Sequence, residues 1–253
     1  MALNLTVADH IAVITIDDPP LNLWRTETSE QLVEIFDSFM DDHDVRVAII
    51  TGAGERAFTA GQDLNEVRNA PPRPGAFRQA RWYLQAMQDC PVPIIGAVNG
   101  IAVGHGIAIC SGCDILIASE NARFGVPEIK VGLANGHRMM MEFFPKSHAR
   151  YAFFTGELID AQEAYRVGAV LDLVSAEELM PTAREIAGKI ARNSPIALRL
   201  FKDTVRWTPD MDLQKGYRFE GERSRSARQD PSFRAHAQEA QAAFREKRTP
   251  EFD

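Results

Sequence analysis

Apolar positions along this chain fall into two rhythms. His10 to Ile16 (HIAVITI) alternates and then runs apolar until Asp17-Asp18-Pro19-Pro20 breaks it, which predicts a strand followed by a turn. The N-terminal stretch MALNLTVADHIAVITID as a whole reads as strand, with no basic leader and no signal-type apolar region. From Thr28 to Met40, Leu32, Ile35, Phe36 and Phe39 recur at helical spacing, with Ser29 as the candidate cap. Val45 to Thr51 (VRVAIIT) is apolar enough for a strand buried on both faces, and it ends at Gly52. Strand, helix and strand in that order predict a parallel crossover.

The pattern then becomes glycine-rich. TGAGERAFTAGQDLNEV makes a loop at Gly52 and Gly54, returns to the core at Phe58, and leads through Ala60-Gly61-Gln62-Asp63 into a helix. Backbone amides there could face a ligand; a plain loop with a helix cap at Asp63 is the alternative. Asn69 to Gly75 (NAPPRPG) is too proline-rich for regular structure and reads as a surface loop. A helix over Phe77 to Asp89 precedes the stretch on which the chain centres, Pro91 to Gly136. Here an apolar strand, Ile94 to Val98, meets a turn at Asn99-Gly100 and a loop with glycines at 100, 104 and 106. That loop enters a small-residue apolar segment, Ile107 to Cys113. A second strand, Ile115 to Ala118, follows, and a Phe-Gly-x-Pro-Glu turn closes the unit at Glu128. Strand, glycine loop and helix start leave free N–H groups pointing outward, which suits an oxygen gaining negative charge. Glycines chosen only for packing give the same spacing, so at this level both readings stand.

Beyond Gly136 come two or three short helices. The last of them, Ala161 to Val167, is stopped by Gly168 and followed by a strand, Val170 to Val174, and a helix, Met180 to Asn193. From Pro195 on the chain is helical and more charged, so Pro195 divides an α/β core (1–194) from a helical C-terminal part (195–253).

At 253 residues the chain can bury one large core. No apolar run approaches the roughly 20 residues needed to span a bilayer, so no membrane role is expected and a cytoplasmic location is the default. The formal charge of −7 disfavours nucleic acid as a partner. Cys90, Cys110 and Cys113 exclude a disulfide framework, and Cys110-Ser-Gly-Cys113, in an apolar segment without a second ligand pair, reads as core thiols rather than a metal site.

Several motifs in register carry a resemblance. They are TGAG..AF.AG.DL at Thr51 to Leu64, P.I.AVNG.A.G.G at Pro93 to Gly106, and CDI..A...A.FG.PE.K.G at Cys113 to Gly132. TG..I.A.EA...G.V at Thr155 to Val170 and AF.EKR.P.F at Ala243 to Phe252 complete the set. With them the whole chain resembles the crotonase, or enoyl-CoA hydratase/isomerase, superfamily. GxGxxG after the first strand, GxSxG and HExxH are missing.

The resemblance implies an α/β fold, a spiral of ββα turns forming two sheets, with a helical C-terminal region that builds trimers, often stacked as hexamers. It implies an acyl-CoA thioester as substrate, with coenzyme A entering as part of that substrate and no other cofactor or metal. The backbone N–H groups that hold the thioester carbonyl fall on Gln62 and His105. Of the two glutamates of the hydratases, the second falls on Glu128 and the first on Ala108, which can neither accept a proton nor hold a water. Double-bond isomerisation through one glutamate is therefore favoured, with 2-enoyl-CoA hydration and non-catalytic acyl-CoA binding as the alternatives. Gly136 matches a backbone position that helps bind water, but His137-Arg138-Met139 replaces the small residues expected after it. His137 is a spare titratable group there, or a structural one. CoA contacts carry over onto Leu21, Arg25, Ala60, Asp63 and Leu64, and, toward a neighbouring subunit, onto Phe244 and Lys247, the last equally readable as a solvated helix charge.

Overall fold

The computed structural model of the protein describes residues 3–69, 76–133 and 135–252. Its strands are β1 (Leu3–Ala8), β2 (Ile11–Ile16), β3 (Val47–Gly52), β4 (Ala57–Thr59), β5 (Ile94–Val98), β6 (Ile101–Val103), β7 (Ile115–Ser119), β8 (Arg123–Gly125), β9 (Ile159–Asp160) and β10 (Asp172–Val174). Its helices are α1 (Thr26–Asp41), α2 (Leu64–Asn69), α3 (Ala76–Asp89), α4 (His105–Gly112), α5 (His137–Met140), α6 (Lys146–Thr155), α7 (Ala161–Arg166), α8 (Leu179–Ala191), α9 (Pro195–Trp207), α10 (Leu213–Ala227) and α11 (Pro231–Glu246).

The strands form two sheets, one in the order β1-β2-β3-β5-β7-β10 and one in the order β4-β6-β8-β9. From β2 to β10 the large sheet is parallel, as the strand–helix–strand pattern predicts. In succession, β3 runs into β4, β5 into β6 and β7 into β8, each time crossing from the large sheet to the small one. Every turn of this ββα spiral adds a neighbour to both sheets.

Alternation along the large sheet explains its near-continuous apolar strands. Ala12, Ile14, Ile16, Ala48 and Ile50 join one buried cluster with Leu32, Phe36 and Phe58. Ile11, Val13, Val47 and Ile49 point the other way, against Leu179, Ala183, Ala187 and Ala191 of α8. Both faces are covered, so neither needs polar residues.

Several expectations change. The N-terminal stretch is a hairpin rather than one strand, because Asp9 (φ 52°) and His10 (φ 66°) turn the chain back on itself. Ser29 does not cap α1: the helix begins at Thr26, and the Ser29 hydroxyl accepts the Trp24 indole N–H at 2.8 Å. The second sheet that the resemblance implies is present, but its strands could not be read from the apolar pattern, since they are two or three residues long and show no periodicity. The proline-rich loop expected over Asn69 to Gly75 lies, beyond Asn69, outside the described residues. Pro195 opens α9, whose Lys202 reaches Asp114 at 2.5 Å and whose Arg199 donates to the carbonyls of Phe39, Met40 and Asp42, so the helical tail is anchored on the core.

Two buried asparagines hold the loop between the sheets. Asn22 donates to the carbonyls of Ala53 (3.0 Å) and Ala57 (2.7 Å). Asn99 accepts the Gly52 N–H at 3.1 Å and donates to the carbonyls of Gly52 (2.9 Å), Gly54 (2.6 Å) and Ala57 (3.3 Å). Replacing Asn99 by alanine strands a buried N–H and crowded carbonyls, so Asn99→Ala should lower the unfolding free energy by about 2–4 kcal/mol. Urea unfolding with an unchanged m-value checks this, and an unchanged midpoint would refute it.

Candidate active site

The two glycine loops of the sequence meet. Gly61 precedes Gln62 and Gly104 precedes His105, and both glycines have positive φ, 86° and 55°. A methyl group at Gly104 would lie 3.5 Å from the Gly61 α-carbon and only 2.9 Å from Oε1 of Glu128. One at Gly61 would lie 3.2 Å from the Val103 carbonyl oxygen. Both loops and the Glu128 carboxyl thus share one van der Waals shell, and only residues without a side chain fit there.

The amides that follow these glycines are both free among the described residues, for different reasons. Trp24 bridges Gln62 in parallel fashion, its N–H donating to Gly61 O at 2.8 Å and its carbonyl accepting from Asp63 N at 2.9 Å. That pairing turns the Gln62 N–H to the opposite side. His105 is the first residue of α4, with Gly104 as its N-cap, so its N–H has no intrahelical acceptor.

Glu128 lies in a 3₁₀ turn, Pro127–Val131, just after β8. Its Oε2 is buried with no hydrogen-bond partner. Burial pushes its carboxyl above the usual carboxylate range, opposed by a backbone hydrogen bond. Ala108 follows on α4, one turn after Gly104, 3% exposed and bonded through its N–H to the Gly104 carbonyl at 3.1 Å. The position has only a methyl group to offer.

Gly136 (φ 87°) caps α5, and a methyl there would meet Val126 Cγ1 at 2.8 Å, which ties α5 to the segment leading into Glu128. His137 packs against Phe153 in a tilted pair, ring centroids 5.1 Å apart and planes at 56°. Leu21 and Ala60 are joined by an Ala60 N–H to Leu21 O bond of 3.0 Å, and Leu64 is exposed. Arg25 is held by Asp18 (2.9 Å) and Asp63 (3.2 Å), and Asp63 also accepts the Asn65 N–H at 2.9 Å at the start of α2. Phe244 and Lys247 stand at the end of α11, exposed, with no hydrogen bond to the cluster among the described residues.

The side chains around the two amides escaped sequence reasoning. Tyr83 Oη lies 2.7 Å from His105 Nδ1, His105 Nε2 lies 2.9 Å from Gln62 Oε1, and Gln62 Nε2 donates to Glu66 at 3.0 Å. Only the i, i+4 spacing of Gln62 and Glu66 was visible in the sequence. Burial pushes His105 down to about 4, so its ring is neutral near pH 7. The thiols of Cys90, Cys110 and Cys113 are raised by burial and remain free. Among the described residues no group of three or more His, Cys, Asp or Glu is placed to hold a metal, and no helix is long and apolar enough to cross a membrane.

Comparison with known proteins agrees with this architecture. The chain belongs to the enoyl-CoA hydratase/isomerase family, whose pattern matches residues 6–253. It is 38% identical over 262 aligned residues to a carnitinyl-CoA dehydratase of Salmonella arizonae, covering 99% of this chain and 98% of that one. A carnitinyl-CoA dehydratase of Proteus mirabilis is 35% identical, with coverage of 99% and 98%. Among solved structures, an enoyl-CoA hydratase from Bacillus anthracis superposes with a TM-score of 0.92 at 31% identity, covering 100% of this chain and 99% of that one.

The raised pKa of Glu128 has a consequence for stability. Its folded-state value lies above the unfolded one, so below the unfolded value burial of the neutral acid costs nothing in charge, and the penalty grows as pH rises through the folded value. Glu128→Gln should therefore melt at a higher temperature than the parent at pH 7–8, with the gap closing as pH falls toward 4. Parallel melting curves across that range test it, and a gap independent of pH would show that desolvation of the carboxylate is not the cause.

Proposed function

We propose that this chain acts on enoyl-CoA thioesters, with the amides of Gln62 and His105 as donors to the thioester carbonyl oxygen and Glu128 as the group that moves the proton. The observation that supports the reading is that two main-chain N–H groups without an acceptor among the described residues lie on loops in contact at Gly61 and Gly104, beside a desolvated carboxylate. Removal of a proton from C2 sends charge to the carbonyl oxygen. Donors aimed at that oxygen bind the enolate more tightly than the ground-state carbonyl, which is what lowers a barrier. Each such donor is typically worth about 3 kcal/mol. Coenzyme A enters as part of the substrate, with Leu21, Ala60 and Leu64 beside the first loop as its contacts. A phosphate at Arg25 would compete with Asp18 and Asp63 for the guanidinium.

With a methyl group at Ala108, the chemistry falls to one carboxylate. Glu128 takes a proton from C2 of a 3-enoyl thioester and returns it at C4, shifting the double bond to C2–C3 without gain or loss of atoms. Its raised pKa suits both directions of transfer near neutrality. A hydro-lyase is the second reading, favoured by the name dehydratase on relatives of 35–38% identity. One carboxyl can serve it too, when the proton removed from C2 is handed to the departing hydroxyl at C3.

We also infer self-association as a trimer or hexamer through residues 195–253, supported by exposed Phe201, Val205, Trp207, Leu213 and Tyr217 on α9 and α10. Sedimentation should then give the mass of three or six chains.

Glu128→Gln should reduce turnover by roughly 10²- to 10⁴-fold, the range of a lost general base, while acyl-CoA affinity holds. Parent activity on 3-enoyl-CoA esters above that on crotonyl-CoA hydration selects isomerisation, the reverse order selects the hydro-lyase, and tight binding without turnover on either selects a binding protein. Ala108→Glu should raise hydration where the pocket admits water. Full activity of Glu128→Gln would remove the carboxyl from the mechanism.

A further inference from the structure

Behind the two amides, side chains from separate stretches of the chain form one directed series of hydrogen bonds. The Glu66 carboxylate accepts the Thr26 N–H at 3.2 Å and the Gln62 Nε2–H at 3.0 Å. A carboxylate only accepts, so Gln62 gives it the amide nitrogen and turns Oε1 toward His105. Oε1 in turn needs a donor, which places the imidazole proton on Nε2, at 2.9 Å. Nδ1 is then bare and accepts the Tyr83 hydroxyl at 2.7 Å. Trp24 stacks on the imidazole, centroids 5.4 Å apart and planes 11° apart, while its own main chain pairs with residues 61 and 63. Tyr83 and Trp24 are fully buried. The neutral ring that this series requires is the form that burial favours.

We propose that Tyr83, Glu66 and the side chains of Gln62 and His105 are positioning residues, whose bonds fasten the loop of residue 62 to the loop of residue 105 and set the separation and aim of the two main-chain amides. This rests on the reading of those amides as the donors to the thioester oxygen. The need for such a clamp follows from the backbone. Each amide follows a glycine with positive φ, and glycine torsions are soft, so contact between Gly61 and Gly104 brings the loops together without fixing their angle. The bond between the His105 and Gln62 side chains spans both loops directly, and Tyr83, Glu66 and Trp24 immobilise its two ends. Only the main-chain N–H groups touch substrate. The imidazole and carboxamide act through them.

The experiment reads carbonyl polarisation as well as rate. Dimethylaminocinnamoyl-CoA absorbs at longer wavelength when its thioester oxygen accepts strong hydrogen bonds, whether or not turnover follows. The parent protein should shift this band to the red on binding. His105→Ala, which keeps the amide and removes the ring, should lose most of that shift. Its kcat should fall by roughly 10- to 100-fold, as for a misaimed rather than missing donor, with thioester affinity little changed. Tyr83→Phe, which removes one oxygen atom and leaves packing intact, should show a smaller change of the same kind and carries the test should His105→Ala not fold. His105→Gln, which supplies both a donor and an acceptor, should restore part of the red shift and of kcat. A parent-like band and kcat in His105→Ala, or in Tyr83→Phe where that variant carries the test, overturns the proposal. No red shift in the parent itself overturns the amide reading first, and the clamp with it.

Discussion

The absence of side chains at two positions governs the architecture around the candidate site. A methyl on Gly104 would lie 3.5 Å from the Gly61 α-carbon and 2.9 Å from the Glu128 carboxyl, and neither glycine has the φ that an ordinary residue prefers. This close approach lets loops from different turns of the spiral share one carboxylate. A side chain at Gly104 would push against the Glu128 carboxyl and one at Gly61 against the Val103 carbonyl, and both would be strained at these positive φ values.

The rest of the fold brings those glycines together. Parallel pairing of β3 with β5 aligns the strand ends that lead into β4 and β6, the strands from which both loops leave. Asn22 and Asn99 then pin the loop after β3 from two sides, and both donate to the Ala57 carbonyl, so β4 starts from a fixed point. Trp24 pairs with residues 61 and 63 through its main chain and reaches His105 with its ring. The small sheet contributes little area, but β4 and β6 pair in parallel and deliver Gly61 and Gly104 to the same end. Short strands suffice here because the large sheet, buried on both faces, supplies most of the apolar burial.

Much of the large sheet was legible because burial on both faces forces continuous apolar runs such as VAIIT and IIGAV, and these announce themselves in any window. The small sheet was illegible for the opposite reason: Ala57–Thr59 and Ile101–Val103 are too short to show a period, and their pairing is entirely non-local. Gln62, His105 and Glu128 emerged as candidates through motifs in register, and the structure brings them together. The clamp of Tyr83, His105, Gln62 and Glu66 could not be read, since 22 residues separate Tyr83 from His105 and 43 separate Gln62 from it. The Ser29 cap failed because a tertiary partner, the Trp24 indole, claims the hydroxyl that local spacing assigned to the helix end.

Ala108 and the orphaned oxygen of Glu128 belong to one electrostatic argument. Two carboxylates in a desolvated shell repel one another, and one is then held protonated at the expense of the other. With a methyl group at 108 that coupling is absent, and burial, opposed by a backbone hydrogen bond, raises the basicity of Glu128. An uncoupled acid can change its protonation state without reorganising a second charge. The same desolvation works against the folded state above the carboxylate range. Basicity at Glu128 and stability of the folded protein therefore pull in opposite directions, and a proton taken up by the carboxylate relieves the conflict by neutralising the buried charge.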